Sequence, residues 1–412
     1  MTKRFSVFAV IVGVALVIRL AIMATAPVFE PSEARYAAIS ANMARCGDWF
    51  VPQFTYEGVY QTFAGKPPLV FQAAGACCRL FGVNEFAVRL PSLLAFALLL
   101  AIVYRTVLSG TDSRTAWIAT GMTATSTALY ATAGFCMTDG VLVCCVSGAL
   151  LLYWRLCSLY GRKARSATAL AIGILLALGV MAKGPVAMAL FGLPVVIDFA
   201  LNRRRDKRLR LDGLLAVCIF LLAVVPYFWL TESAQPGFLE YFLWNENVMR
   251  FLTQDYGDRY GAGRETFRGM SLVWTWVVML PWSLLLVFRR GRRTWKASML
   301  AGNFPLLAAA TIALFWCLTS RVPIAYLLPV VPLLSVALAV GGDRFGIARE
   351  RMAMLLPWSA LVTMAVVVAT LVAVRLSKPK KLPGASAPPK ISDHYFSHEF
   401  YHGPWGEGAP KK

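Results

Sequence analysis

Charge is what this sequence has least of. Asp, Glu, Lys and Arg make up 15% of its 412 residues and hydrophobic residues 58%, where a soluble domain is about a quarter charged. Such a composition excludes an ordinary soluble enzyme and a disordered chain alike. Acidic residues are the scarcer sign, 21 against 41 Lys and Arg, for a formal charge of +20. Histidine is nearly missing: the three present, His394, His398 and His402, all fall near the C-terminus. The nine cysteines form no framework and no zinc-type spacing, although Cys46 with Cys77 or Cys78 is a candidate pair. There is no internal repeat, which counts against the paired halves of many transporters.

In place of charge there are apolar runs of about 20 residues, each enough to cross ~30 Å of hydrocarbon. Eleven spans are predicted, at roughly 5–26, 86–104, 115–134, 140–156, 167–182, 184–201, 211–230, 270–288, 299–319, 323–341 and 352–375. The basic residues lie between them, so their excess reads as a topology signal and no nucleic-acid partner is expected. With Lys3 and Arg4 inside, clusters such as Arg203-Arg204-Arg205 and Arg289-Arg290 also fall inside, and the short outer loops keep only Lys183 and Arg321. The fold class expected is an all-α polytopic membrane protein with about 11 transmembrane helices over residues 1–375. Outer loops 27–85 and 231–269 are long enough for structure of their own. Helical spacing predicts an amphipathic surface helix at 34–44 and a second helix at 67–80. Residues 376–412 read as a largely disordered tail, whose His and aromatic residues suit a membrane-surface segment or a metal-binding stripe. The tail's lysines fall outside in this topology, against the general trend.

An ionised side chain at mid-membrane costs about 2.5–3.5 kcal/mol on insertion scales. Charges at outer helix ends therefore call for a reason. Asp139, Lys183 and Arg321 emerge there, with Glu30, Glu33, Arg35 and Lys66 of the first loop and Glu246 and Arg250 of the second. Singly, each has a plain explanation: cations snorkel, Asp139 caps a helix, and Glu33 pairs along its own helix. Together they imply a cavity ringed with cations and containing a few carboxylates. Such a cavity suits a lipid phosphate, which Arg grips through its fork and Lys as a point charge. If that phosphate leaves, the same cations stabilise the growing charge. A carboxylate beside it could take a hydroxyl proton or steady an oxocarbenium-like carbon.

Ordered motifs carry a resemblance. Glu30-Pro-Ser-Glu-Ala-Arg-Tyr-Ala37, Gly47-Asp-Trp-Phe-Val-Pro52, Lys66-Pro-Pro-Leu69, Asn84-Glu-Phe-Ala-Val-Arg-Leu-Pro91 and Ala182-Lys-Gly-Pro185 recur in that order and spacing. Asn247-Val-Met-Arg-Phe251 and Arg321-Val-Pro-Ile-Ala-Tyr-Leu-Leu-Pro329 continue the series. Over about residues 5 to 340 the chain resembles the GT-C membrane glycosyltransferases of the dolichyl-phosphate-mannose-protein mannosyltransferase superfamily. Within that superfamily it is most like the bacterial lipid A aminoarabinose transferases (glycosyltransferase families 39 and 83).

The resemblance implies a site facing the periplasm of a bacterial inner membrane, a polyprenyl-phosphate sugar donor, and inverting transfer onto a lipid or surface glycan. By position it implies that Glu33 and Asp139 are the reacting carboxylates. Arg35, Tyr36, Lys66 and Lys183 would hold the phosphate, with Tyr326 lining the pocket and Arg321 at its edge. Several positions depart from the pattern. Ser32 stands where an Asp is usual, leaving Glu33 and Glu30 as substitutes; Gly65 replaces an acidic residue; and Trp244-Asn-Glu-Asn247 lacks a His. The last two positions are associated with a metal in the relatives, so no metal and no cofactor are expected. About 37 residues follow the last span, so the relatives' C-terminal soluble domain is not expected either. Ser32, Gly65 and Asn245 keep a donor-binding but non-catalytic member in view, and a lipid-linked sugar flippase is a further class.

Overall fold

The computed structural model describes residues 17–29, 31–56, 59–202, 207–249, 266–287, 303–342, 349–376 and 395–403. Glu30 and Arg250 of the expected site lie outside them, as do His394 and residues 1–16 of the first span. In chain order, α1 (residues 17–25) leads to α2 (Ser32–Cys46), a hairpin of β1 (Gln53–Tyr56) and β2 (Val59–Thr62), and α3 (Leu69–Phe81). Then come α4 (Glu85–Leu108), α5 (Ser113–Ala124), α6 (Thr127–Thr132), α7 (Thr138–Leu156), α8 (Arg162–Lys183), α9 (Val186–Leu201) and α10 (Lys207–Ala234).

Six helices among the described residues are long and apolar enough to cross a membrane. They are α4, α7, α8, α10, Ile324–Gly341 and Arg349–Thr370. Of the others expected, 184–201 is a shorter helix and 115–134 and 270–288 are broken, while 5–26 lies partly outside the described residues. The run 115–134 bends at Thr125, between α5 and α6. There Trp282 Nε1 and Ser359 Oγ each reach the Thr125 hydroxyl at 3.0 Å, and Thr363 donates to the Thr125 carbonyl at 2.7 Å. Thr363 and the Leu280 carbonyl, which accepts from the Thr127 amide at 3.0 Å, thus satisfy backbone groups that the bend frees, as apolar surroundings require. The run 270–288 splits into Met270–Val278 and Leu284–Val287 around Pro281, which cannot continue a helical ladder.

The helix starts follow local rules. Asn84 caps α4 by accepting from the Ala87 amide at 2.9 Å, and Asp112 caps α5 through Thr115 at 3.1 Å. Helices α7 and α8, joined by five residues, run antiparallel at the centre of the main core, with α4, α9 and α10 packed around them. Gly173 lets α8 approach α10, since a Cβ there would lie 2.5 Å from the Ala216 carbonyl oxygen. Leu214, Leu222 and Trp229 of α10 stay exposed, as suits a face turned to hydrocarbon.

A second core holds α2, the hairpin and α3 together with a C-terminal helix, Tyr395–His402. This corrects the expectations in three places. The first loop contains a β-hairpin, paired from Gln53↔Thr62 to Tyr56↔Val59, so the chain is not purely α. Helix α2 does not present one face to a membrane surface: Glu33, Ala34 and residues 36–43 are all buried. Part of the tail read as disordered is a helix, with Phe396 and Phe400 buried against the first loop rather than against lipid. All nine cysteines are free, so the Cys46 pairing is not made.

Candidate functional site

Two antiparallel helix ends bring the central pair together. Asp139 is the second residue of α7 and Lys183 the last of α8, so each complements the partial charge of its helix terminus. Gly184 ends α8 at φ +93°, a conformation that L side chains avoid, and turns the chain into Pro185 and α9. Lys183 Nζ donates to Asp139 Oδ1 at 2.5 Å, both side chains being 8% exposed. The same ammonium sits 4.3 Å from the ring centroid of Tyr326, which is itself tilted against Trp316 at 4.5 Å.

A second Lys–carboxylate pair lies nearby. Lys66 Nζ reaches Glu246 Oε2 at 3.2 Å, and the Tyr241 hydroxyl donates to the other carboxylate oxygen at 3.4 Å. Glu246 belongs to a π-helix, Tyr241–Met249, a form common at functional sites. Lys66, Lys183, Glu246, Arg321 and Tyr326 line one cavity of about 490 Å³, walled by apolar residues such as Trp316. Five of the residues expected at the site, from four separate stretches of chain, thus meet at one place, and Asp139 joins them through Lys183. Convergent cations and carboxylates on an apolar wall are the ordinary makeup of a ligand site.

The first-loop residues stand differently. Glu33, expected as a reacting carboxylate, is fully engaged elsewhere. Arg89 grips it at 2.8 and 3.0 Å, and the amides of Phe29 and Cys136 donate at 2.9 and 3.1 Å. It is buried and not among the cavity's lining residues. Its contacts join segments: Arg89 also donates to the carbonyls of Met23, Ala26 and Pro27, so the pair ties the end of α1, α2 and α4 to the segment just before Asp139. Arg35 and Tyr36 are likewise not among the lining residues. Tyr36 packs on Phe71 at 5.2 Å and stands within electrostatic reach of Lys183. Among the described residues no group of three His, Cys, Asp or Glu side chains is placed to hold a metal ion. Sequence reading missed Arg89 as Glu33's partner, although a lone arginine inside an apolar helix was a signal. It also missed Trp316, which carries none.

The model of the dolichyl-phosphate-mannose-protein mannosyltransferase family matches residues 2–242, more than half of the chain. The chain belongs to that family. The matched stretch holds Lys66, Asp139 and Lys183, while Glu246, Arg321 and Tyr326 lie beyond it. Among curated proteins, this family member is 28% identical over 321 residues to an undecaprenyl phosphate-alpha-4-amino-4-deoxy-L-arabinose arabinosyl transferase of Erwinia tasmaniensis. It is 29% identical over 326 residues to the transferase of the same description from Edwardsiella ictaluri. Each match covers 76% of this chain and 55% of the relative, so the chain spans about half the length of the curated relatives it matches. Its fold is that of ArnT from Cupriavidus metallidurans bound to undecaprenyl phosphate: TM-score 0.68, 21% identity, 89% of this chain and 71% of that one. An oligosaccharyltransferase from Archaeoglobus fulgidus is a more distant likeness, with a TM-score of 0.56 and 15% identity over 100% of this chain and 60% of that one.

Proposed function

We propose that the chain is an inverting glycosyltransferase of eleven spans. In this reading it moves one sugar from a polyprenyl phosphate to a lipid A-like or other lipid or glycan acceptor at the periplasmic face of a bacterial inner membrane. The observation that carries the reading is Lys183, paired with Asp139 behind it, on the wall of a cavity that also holds Lys66 and Arg321. The relatives' descriptions, with undecaprenyl phosphate as the sugar carrier, supply the class of donor.

Each lysine of the cavity is paired with a carboxylate, as the buried Lys183 in particular requires. A lipid phosphate entering between them competes with Asp139 for Lys183 and with Glu246 for Lys66. Lys66, Lys183 and Arg321 hold it, with Arg35 and Tyr36 reaching from the first loop. Asp139, relieved of its cation, becomes the acceptor for the proton of an incoming hydroxyl. That oxygen bonds to the anomeric carbon as the carbon–oxygen bond to phosphate breaks. The electron pair stays on the departing polyprenyl phosphate, whose charge the cations stabilise. A single displacement of this kind inverts the anomeric centre. Glu30 and Arg250 remain expected members of the site from outside the described residues.

The test is transfer from a radiolabelled undecaprenyl-phosphate sugar in proteoliposomes. Asp139→Asn and Lys183→Ala are expected to lower turnover by a hundredfold or more, in the range set by losing a base or a charge stabiliser. Donor binding with no turnover in the native chain, unchanged by Ser32→Asp, would instead make it a donor-binding member of the family.

A further inference from the structure

The C-terminal helix is fastened to the first loop through its single carboxylate. Glu399 is buried and accepts from Asn42 Nδ2 at 2.8 Å, from the Thr55 amide at 2.9 Å and from Thr55 Oγ1 at 3.1 Å. Arg45 of α2 donates to the carbonyl of Phe400 at 2.8 Å, near the helix end, and to that of Glu399 at 3.3 Å, which also accepts from the Gly403 amide at 2.8 Å. The Tyr401 hydroxyl reaches Glu85 at the start of α4 at 2.9 Å. Phe396 and Phe400 enter the same apolar cluster as Phe54, Phe63 and Phe71.

Fixing Glu399 has a consequence one turn earlier on the same helix face. The Phe396 ring centroid lies 5.7 Å from the Arg35 guanidinium carbon, with Phe63 at 5.6 Å and Tyr36 at 5.7 Å from the same carbon. Three ring contacts limit where a long, many-rotamer side chain can point. One of those rings comes from the far end of the chain.

We propose that the C-terminal helix is a positioning element of the donor site, docked by Glu399, with Phe396 holding the Arg35 guanidinium in place for the donor phosphate. This rests on the phosphate-holding role given to Arg35 above. It assigns a task to a segment that the family match does not reach.

The experiment measures binding of undecaprenyl phosphate to full-length variants in nanodiscs, with a melting curve beside each. Phe396→Leu keeps apolar bulk and removes the ring. It is expected to weaken binding roughly three- to tenfold, the scale of one cation–ring contact, and to add nothing further in an Arg35→Ala background. Glu399→Ala is expected to weaken binding similarly, and Glu399→Gln, which keeps an acceptor for Asn42 and Thr55, to recover most of the loss. Unchanged affinity in Phe396→Leu while Arg35→Ala binds weakly would overturn the positioning role alone. Full additivity of the two would do the same, leaving Phe396 a packing residue. Unchanged affinity in Arg35→Ala would remove the phosphate role of Arg35, and this inference with it.

Discussion

At the scale of single residues, what could be seen in advance was charge in the wrong place. Asp139 and Lys183 stand out because each is ionisable, in an apolar chain, and sits at a helix end. Their contact at 2.5 Å makes stability and activity separable. Lys183→Met leaves Asp139 buried without its cation, and breaking a buried pair this way costs about 3–5 kcal/mol. Adding Asp139→Asn removes the orphaned charge, so the double variant is expected to recover most of the melting temperature. Transfer is expected to stay abolished. Melting in detergent and transfer on the same preparations check both halves; recovery of transfer in the double variant would remove both residues from the chemistry. Gly184 is a second single-residue test. An alanine there meets both the positive φ and the Phe242 ring. Gly184→Ala is expected to cost about 1–3 kcal/mol, as a strained backbone position does, and to weaken donor binding by shifting Lys183. Glu33 could not be read this way. Its catalytic reading rested on its place in a motif, whereas its actual engagement depends on Arg89, 56 residues away, and on two amides that no spacing rule points to.

Elements are where sequence and structure part most clearly. Helices with a polar cap and an unbroken apolar run, such as α4 after Asn84, were legible, as were α2 and α3 within a few residues of their ends. The bend at Thr125 was not, because it is held by Trp282, Ser359 and Thr363, all far along the chain. Nor was the hairpin, whose strands of four residues sit at the lower limit for reading alternation, and whose second strand, Val-Tyr-Gln-Thr, does not alternate. The C-terminal helix is the largest miss: eight residues with no independent stability, formed because a buried surface exists to receive them. Its docking is expected to depend on pH. Burial pushes the Glu399 carboxyl up from 4.5 to about 7, overcoming the opposing pull of the Thr55 and Asn42 hydrogen bonds and of Arg45. A carboxyl that holds its proton more tightly when docked makes docking strongest below about pH 4.5. Docking then weakens as pH rises to about 7, and changes little above that. Hydrogen exchange at the Thr55 amide, corrected for the intrinsic pH dependence of exchange, is expected to show protection falling across that window. Glu399→Gln should flatten the curve, and a native curve as flat as the variant's would refute the assignment.

For the whole molecule, the same docked helix bears on topology. Residues 395–402 pack on α2 and β1, so the tail returns to the membrane face that carries the first loop. An even number of crossings must therefore separate α2 from the tail, and the ten spans proposed between 86 and 375 satisfy this. Counting the one before α2, the total is odd. Positive-charge bias alone would have put the lysine-rich tail inside, because that rule weighs charge near helix ends and knows nothing of a helix with a protein surface to bind. Epitope tags can decide between the two. One inserted in the β1–β2 turn at 57–58 and one placed after Lys412 are expected to be reached by antibody in intact spheroplasts. One inserted in the arginine-rich segment 203–206 should be reached only after permeabilisation. A C-terminal tag that stays hidden while the hairpin tag is exposed would break the parity and undock the tail, and Phe396 could then no longer stand beside Arg35.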